Sequence, residues 1–456
     1  MSGRAQNVVA SLEVLPPEIM LPIVMSLPGL DTLWNLMTAS PNTWRLFNNY
    51  ALTITEGIIS GPNSILYEKI RELVRGVILV RAKTLPFKDL NEFQTQFLYA
   101  VFPFVKRKDA QPKTLRPEIL SCSEVPAKVF RSVVATACQI SALSQGCLAS
   151  YLASFREIEP FSQPMSIGPS QNPSDSTIES DPIQVVDAGQ PSWTEEMRAL
   201  RAMWTIQLVG ELKRLDKETW SKEDIDMLKQ MNAADLVERP NSVVKAEEIR
   251  SAIDYLITLG DTTRDNYYRL QIPPLAKKRD RWITAERKTF RNAAPAVRLE
   301  PLLQQRAELL AGSMTVNDPV LSDDDRWGKV EPRLTCESAG VVSWRHLSSM
   351  HDSPVYGVKF DSFRRLGFAF WDKKRLHLAG LEEGIYRSSD PSGFHFFELE
   401  SLLPADEAAD IKAGIKAALR ERGLTRIPFQ CRTRDVTGVI VYPSLQPPLV
   451  PLSTRG

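Results

Sequence analysis

The chain has 456 residues, enough for two or three domains with cores of their own. Charged residues make up 24% and the formal net charge is +1, so no global field draws it to nucleic acid or to an anionic membrane. Five cysteines, Cys122, Cys138, Cys147, Cys336 and Cys431, are odd in number, share no CxxC spacing and read as reduced core thiols of an intracellular chain.

Residues 1–11 read as a flexible N-terminus. After Arg4, Glu13, Glu18 and several prolines interrupt the apolar residues, so no signal-peptide core forms. A first helix is expected from about Pro17 to Leu27, with Pro17 near its first position and Ile19, Ile23 and Leu27 at four-residue intervals. Pro22 falls inside it, where a missing backbone hydrogen bond should kink the helix at a cost of about 3 kcal/mol. Pro28-Gly29 punctuates, and Leu30, Leu33, Trp34 and Met37 then line one face of a second helix. Ser40 is placed to cap a third helix, with Pro41 in its first turn and Trp44, Phe47, Ala51, Ile54 and Ile58 along one side. Three helices in under about fifty residues cannot bury three apolar faces among themselves, so the unit is expected to dock on something else.

These residues carry a resemblance. Leu15-Pro16-Pro17-Glu18-Ile19, the spaced Leu27, Leu30 and Leu33, and Trp44 after a Ser-Pro break resemble an F-box, here over residues 12–58, in the form found in many fungal chains. The resemblance implies docking on the Skp-type linker protein of a cullin-based (SCF) ubiquitin ligase while the rest of the chain binds an unknown protein target. The docking residues it implies are Leu15, Pro16, Ile19, Ile23, Leu27, Leu30 and Leu33, with Trp44 and Phe47 closing the unit.

Residues 61–156 read as a helical region. Tyr67 to Val80 and Leu90 to Val105 have helical spacing, the first through Ile70, Leu73, Val74, Val77 and Ile78, the second through Phe93, Phe97, Leu98, Val101 and Phe102. Lys106-Arg107-Lys108 suits a solvated helix end. Ser132 to Phe155 has no charged residue and is long enough to cross a bilayer, but Gln139, Gln145, Thr136 and its serines would need partners in hydrocarbon. It is expected to be one or two helices buried in a helical domain. Residues 157–193 are dominated by Ser, Pro, Gln, Asn and Asp and read as a disordered linker, open to phosphorylation at Ser174, Ser176 and Thr177.

Residues 194–312 are expected to be helical again. Thr194 is placed to cap a helix through Leu215 with Leu200, Met203, Trp204, Gln207, Leu208 and Leu212 on its apolar face and Arg201, Lys213 and Arg214 opposite. Ser221 with Asp224 opens another helix, and a third runs from about Val244 to Leu259, with Ile249, Ala252, Ile253, Leu256 and Ile257 on one side, and stops at Gly260. Lys277 to Arg291 interleaves basic residues with Trp282 and Phe290, as an amphipathic helix or a nucleic-acid groove would. Residues 313–335 form a polar loop, 336–442 an aromatic-rich helical region and 443–456 a loose tail. Within the aromatic-rich region, Phe363 to Leu376 fits both strand and helix periods, with helix preferred and Arg364, Arg365 and Asp372 pairing at the rim of an aromatic plug. Its FRRLGFAFWD..RL pattern is similar to a segment near the end of many fungal F-box-like chains, and a last helix is expected over Ala405 to Arg422.

The sequence holds no GxGxxG, P-loop, GxSxG or HExxH pattern, and its four histidines, His346, His351, His377 and His395, limit base and metal chemistry. Ser349, His351 and Asp352 are too close in sequence to supply triad geometry. Cys336 lacks a neighbouring ligand, and the Asp323-Asp324-Asp325 run fails as a calcium loop. The expected protein is mainly α: a three-helix F-box, then a multi-helix body interrupted by a disordered linker. It is expected to be a non-catalytic ligase adaptor without cofactor or metal, cytoplasmic or nuclear. The alternatives are a helical scaffold that joins no ligase, favoured by Pro22, and an enzyme with a site in the C-terminal region.

Overall fold

The computed structural model describes residues 12–102, 112–159, 161–162, 181–182, 185–215, 220–238, 243–260, 338–349 and 358–381, with short stretches between 402 and 417. These residues are mainly α-helical. A 3₁₀ turn at Leu12–Val14 leads into α1 (Pro17–Met25), α2 (Leu30–Ala39) and α3 (Pro41–Ser60). As the breakers imply, Ser40 caps α3 by accepting from the Thr43 N–H at 3.1 Å. The kink expected at Pro22 is not there: α1 runs unbroken through it. Glu18 and Pro22 are both exposed, so water can serve the carbonyl that the proline leaves without a donor. The bend lies in α3 instead, where Tyr50 departs from helical geometry (φ −129°, ψ 33°).

The body is built on four long helices, α4 (Glu68–Ala82), α8 (Ala127–Arg156), α9 (Trp193–Leu212) and α12 (Val243–Thr258). Between α4 and α8, short helices at Leu90–Glu92 (α5) and Tyr99–Val101 (α6) flank a widened π-turn at Phe93–Leu98, and α7 covers Glu118–Cys122. Phe87, Phe93, Phe97 and Trp220 form one aromatic cluster there, with ring centroids 5.2–5.8 Å apart. Lys106 to Lys108 lie outside the described residues. The uncharged stretch becomes the single 30-residue helix α8, packed by α2, α3, α4, α9 and α12. Among the described residues it is the one helix long and apolar enough to cross a membrane, and 61% of its 18-residue apolar window is buried inside the chain. Of the cysteines, Cys147 is buried in α8 and Cys138 half-buried, but Cys122 is exposed, contrary to the expected core position.

Helix α9 corrects the sequence reading most. Ser192, not Thr194, is the cap, in a reciprocal box with Glu195. Arg201, expected in solvent, is buried, and both its Nη2 and Nε hydrogen-bond Glu248 of α12, the closest contact being 2.5 Å. The reason is position: α4, α8 and α12 enclose α9, so its charged side finds partners in the interior rather than in water. α10 (Lys222–Gln230) starts at Ser221, which accepts from the Asp224 N–H, and α11 (Ala233–Val237) follows. α12 ends before Gly260 (φ +92°) as expected, although Ile257 faces outward.

The linker expected over 157–193 is described only at its ends. Phe161–Ser162 (β1) pairs antiparallel with Asp181–Pro182 (β2), and residues 185–192 are tied to the C-terminal part, beginning with the Val186 N–H donating to the Leu378 carbonyl at 2.9 Å. Ser174, Ser176 and Thr177, the Lys277 to Arg291 segment, the 313–335 loop and the tail lie outside the described residues, as does most of the Ala405 to Arg422 helix.

The C-terminal elements are α13 (Ala339–Ser349), α14 (Asp361–Arg364) and α15 (Lys373–Leu378). The helix preferred across Phe363 to Leu376 is broken: a series of turns separates α14 from α15. Gly367 is the cause. It sits at φ +77°, and a Cβ there would come within 2.6 Å of the Trp371 ring and 2.8 Å of Tyr151. The turns drive Phe363, Phe368, Phe370 and Trp371 into the interior, where Tyr151 and Phe155 of α8 receive Phe370, Phe368 and Trp371.

Candidate docking surface

The nine residues singled out in the N-terminal unit separate into three sets. Leu30, Leu33 and Phe47 are core residues, at most 2% exposed. Leu15, Leu27 and Trp44 are half-buried, while Pro16, Ile19 and Ile23 are exposed, the two isoleucines at 52% and 41%. The stripe that holds α1 to the unit is therefore Met20 and Val24, one position along from Ile19 and Ile23. Both stripes have four-residue spacing, so periodicity alone could not rank them.

Leu30, Leu33 and Phe47 face inward because the unit docks on its own body. α2 and α3 lie on α8, as their spare apolar faces require. Polar contacts fix the seam: Arg131 Nη1 donates to Asn48 at 2.8 Å and lies over the Trp44 ring, 5.4 Å from its centroid. Ser141 Oγ donates to Asp31 at 3.3 Å, and the Trp193 indole donates to the Ile65 carbonyl at 3.0 Å. A cavity of about 30 Å³, bounded by Asp31, Ser141, Ile65 and Trp204 among others, remains at the seam. That is room for a water and little more.

What the unit leaves to solvent is the outer face of α1, where Pro16, Ile19, Pro22 and Ile23 succeed one another beside the exposed Val14. Of the six large apolar side chains most exposed among the described residues, Val14, Ile19 and Ile23 are three. Near its end the carbonyls are served: Ser26 N–H and Oγ donate to Pro22 and Ile23 at 3.1 and 2.7 Å, and Asn63 Nδ2 donates to the Ser26 carbonyl at 3.1 Å. α1 lies close to α3, since a Cβ on Gly57 would sit 2.7 Å from Met25 Cε.

A second concentration of functional groups, which sequence reading missed, locks the C-terminal part onto α9. Arg375 grips both oxygens of Glu195 at 2.9 and 2.8 Å and the carbonyls of Gly189 and Gln190 at 3.2 and 3.0 Å, over the Trp371 ring. Ser192 Oγ donates to Asp372 at 2.7 Å, the Asp372 N–H donates to Glu195 at 3.0 Å, and Arg198 Nη1 donates to the Phe370 carbonyl at 2.8 Å. Burial pushes the Glu195 carboxyl above its ordinary range and Asp372 adds to the rise, while Arg375 opposes both. Arg364, Arg365 and Asp372 do not pair with one another as expected: Arg364 is held by Glu247 at 2.6 Å, Arg365 donates to the Leu402 carbonyl at 2.9 Å, and Asp372 accepts from Ser192. Only the SxxE spacing of Ser192 and Glu195 marks this lock in the sequence; Arg375 is 180 residues from Glu195 and carries no local signal.

Among the described residues no group of three or more His, Cys, Asp or Glu side chains could hold a metal ion. Cys336, His351 and Asp352, and the side chains of His346 and Ser349, lie outside the described residues. Compared with known proteins, the chain matches no family model, no curated protein and no solved structure.

Proposed function

We propose that the chain is a substrate-recognition adaptor of an SCF-type ubiquitin ligase, held to the Skp-type linker protein by its N-terminal unit and to a protein target by its body. The observation that carries the reading is the apolar outer face of α1, exposed on a unit whose other apolar faces are already used. On this reading the contact residues are Pro16, Ile19, Pro22 and Ile23, rimmed by Leu15 and Leu27, while Leu30, Leu33, Trp44 and Phe47 hold the unit in shape. The chemistry is positional: target and charged conjugating enzyme are brought to high effective concentration, and no side chain of this chain takes part in bond making. The packed, hydrogen-bonded seam with α8 favours the task, because it ties the target-bearing body to the unit that would hold the linker protein.

A second reading, a helical scaffold that joins no ligase, draws on the same seam: α8 already supplies the partner that the three helices need. One experiment separates the two. The full chain is co-expressed with the Skp-type linker protein and run on gel filtration, beside Ile19→Asp/Ile23→Asp, whose side chains are exposed and whose fold is expected to persist. A complex with the native chain that is lost in the double variant supports the adaptor. No complex with a folded native chain rejects it and leaves the scaffold.

A further inference from the structure

The cavity at the seam is lined by polar groups from three helices. α2 brings Asp31 to it, α8 brings Ser141 and α9 brings Trp204, while Ile65, Ala137 and Leu200 close it with apolar surface. Asp31 is only 7% exposed, and the bond it accepts from Ser141 Oγ is 3.3 Å long, against about 2.7 Å for an ordinary hydroxyl bond. Gly29, just before α2, also lines the cavity and supplies that helix with no side-chain cap. The indoles of Trp193, Trp220, Trp344 and Trp371 each donate to a backbone carbonyl. The indole of Trp204, a residue 2% exposed, has no acceptor among the described residues. A buried indole N–H ordinarily has one.

We propose that the seam is a binding site for one ordered water, which accepts from the Trp204 N–H and donates to the Asp31 carboxylate, with Ser141 as its third partner. The volume sets the size of the ligand: about 30 Å³ takes one water and no larger organic group. The lining sets its nature. The indole needs an acceptor and the carboxylate a donor; a water is both, whereas a metal cation offers the indole nothing. Three partners are the usual complement of a buried water, and here they come from three helices. The water draws Trp204 of α9 into the polar seam between α2 and α8. It gives the N-terminal unit a directional contact with the body, where apolar burial is non-directional. The site does not depend on the adaptor reading.

The test uses nuclear magnetic resonance on the full chain with isotope-labelled tryptophan, the Trp204 indole signal being assigned by its absence in Trp204→Phe. A water held for longer than the chain takes to tumble gives a cross-peak between the indole proton and the water resonance, with the sign of a contact inside the protein. The measurement is repeated in Ser141→Ala, which removes the hydroxyl proton that could relay the same signal, and in Asp31→Leu, which replaces the carboxylate by an apolar group of similar size. The expected result is a cross-peak in the native chain and in Ser141→Ala, and its loss in Asp31→Leu. No cross-peak in the native chain, loss in Ser141→Ala, or persistence in a folded Asp31→Leu overturns the proposal. Should Asp31→Leu fail to fold, the native chain and Ser141→Ala decide it.

Discussion

Replacing Arg375 by methionine tests the lock between α9 and the C-terminal elements. The guanidinium and the Glu195 carboxylate are 3% and 0% exposed, and the change removes two hydrogen bonds to Glu195 and one each to Gly189 and Gln190. Methionine keeps most of the packing against Trp371 but strands a buried carboxylate beside Asp372. Breaking one partner of such a pair costs about 3–5 kcal/mol, which at a urea slope near 3 kcal/mol per M moves the midpoint by about 1 M or more. Trp371 lies under the guanidinium and is one of nine tryptophans in the chain, so tryptophan fluorescence follows the transition as a whole. The pH dependence has a definite sign. The folded-state pKa of Glu195 is raised, so the stability linked to that group is full below the unfolded carboxylate value of about 4.3 and is lost as pH rises through the folded value. Without Arg375 that folded value climbs further, so the deficit of the variant should be larger at about pH 8 than at about pH 5. Glu195→Gln in the same chain should recover part of the loss. An unchanged midpoint, a deficit that grows toward acid, or no recovery in the double variant would refute the reasoning.

Leu33→Ala in the buried face of α2 should cost about 2–5 kcal/mol in chemical denaturation, whereas Ile19→Ala should fall within about 0.5 kcal/mol; equal effects would contradict the assignment of the two stripes. Gly340→Ala places a Cβ 2.4 Å from the Phe368 carbonyl, a backbone atom, and should destabilise by about 1–3 kcal/mol, read as a lower melting temperature with local loss of amide protection around residues 363–371. Ser192→Ala removes the cap of α9 and the donor to Asp372, for a loss of about 1 kcal/mol or somewhat more in urea; no change would mean that the box adds nothing to α9.

The mainly helical architecture, the breaks at Pro28-Gly29 and Ser40-Pro41, the cap at Ser221 and the stop at Gly260 were legible because each is local. Periodicity and the backbone limits of proline and glycine act within a turn or two of chain. The same locality explains the failures. Ile19/Ile23 and Met20/Val24 are equivalent stripes along the chain, and only the line of α3 decides which turns inward. Arg201 is written like a solvent residue and becomes an interior one because α12 brings Glu248 to it. The Phe363 to Leu376 stretch fits two periods and is helical only at its two ends, since Gly367, packed against Trp371 and Tyr151, takes a positive φ that interrupts the helix. The need of the first three helices for a partner was readable from their apolar faces. That α8 meets most of it, leaving one face of α1 to solvent, was not, because hydrophobic burial is non-directional and the choice among apolar surfaces is made by packing. The sequence by itself determined where most of the helices run and the ends set by local breakers; the tertiary structure decided which of their faces meet and where the Phe363 to Leu376 stretch breaks.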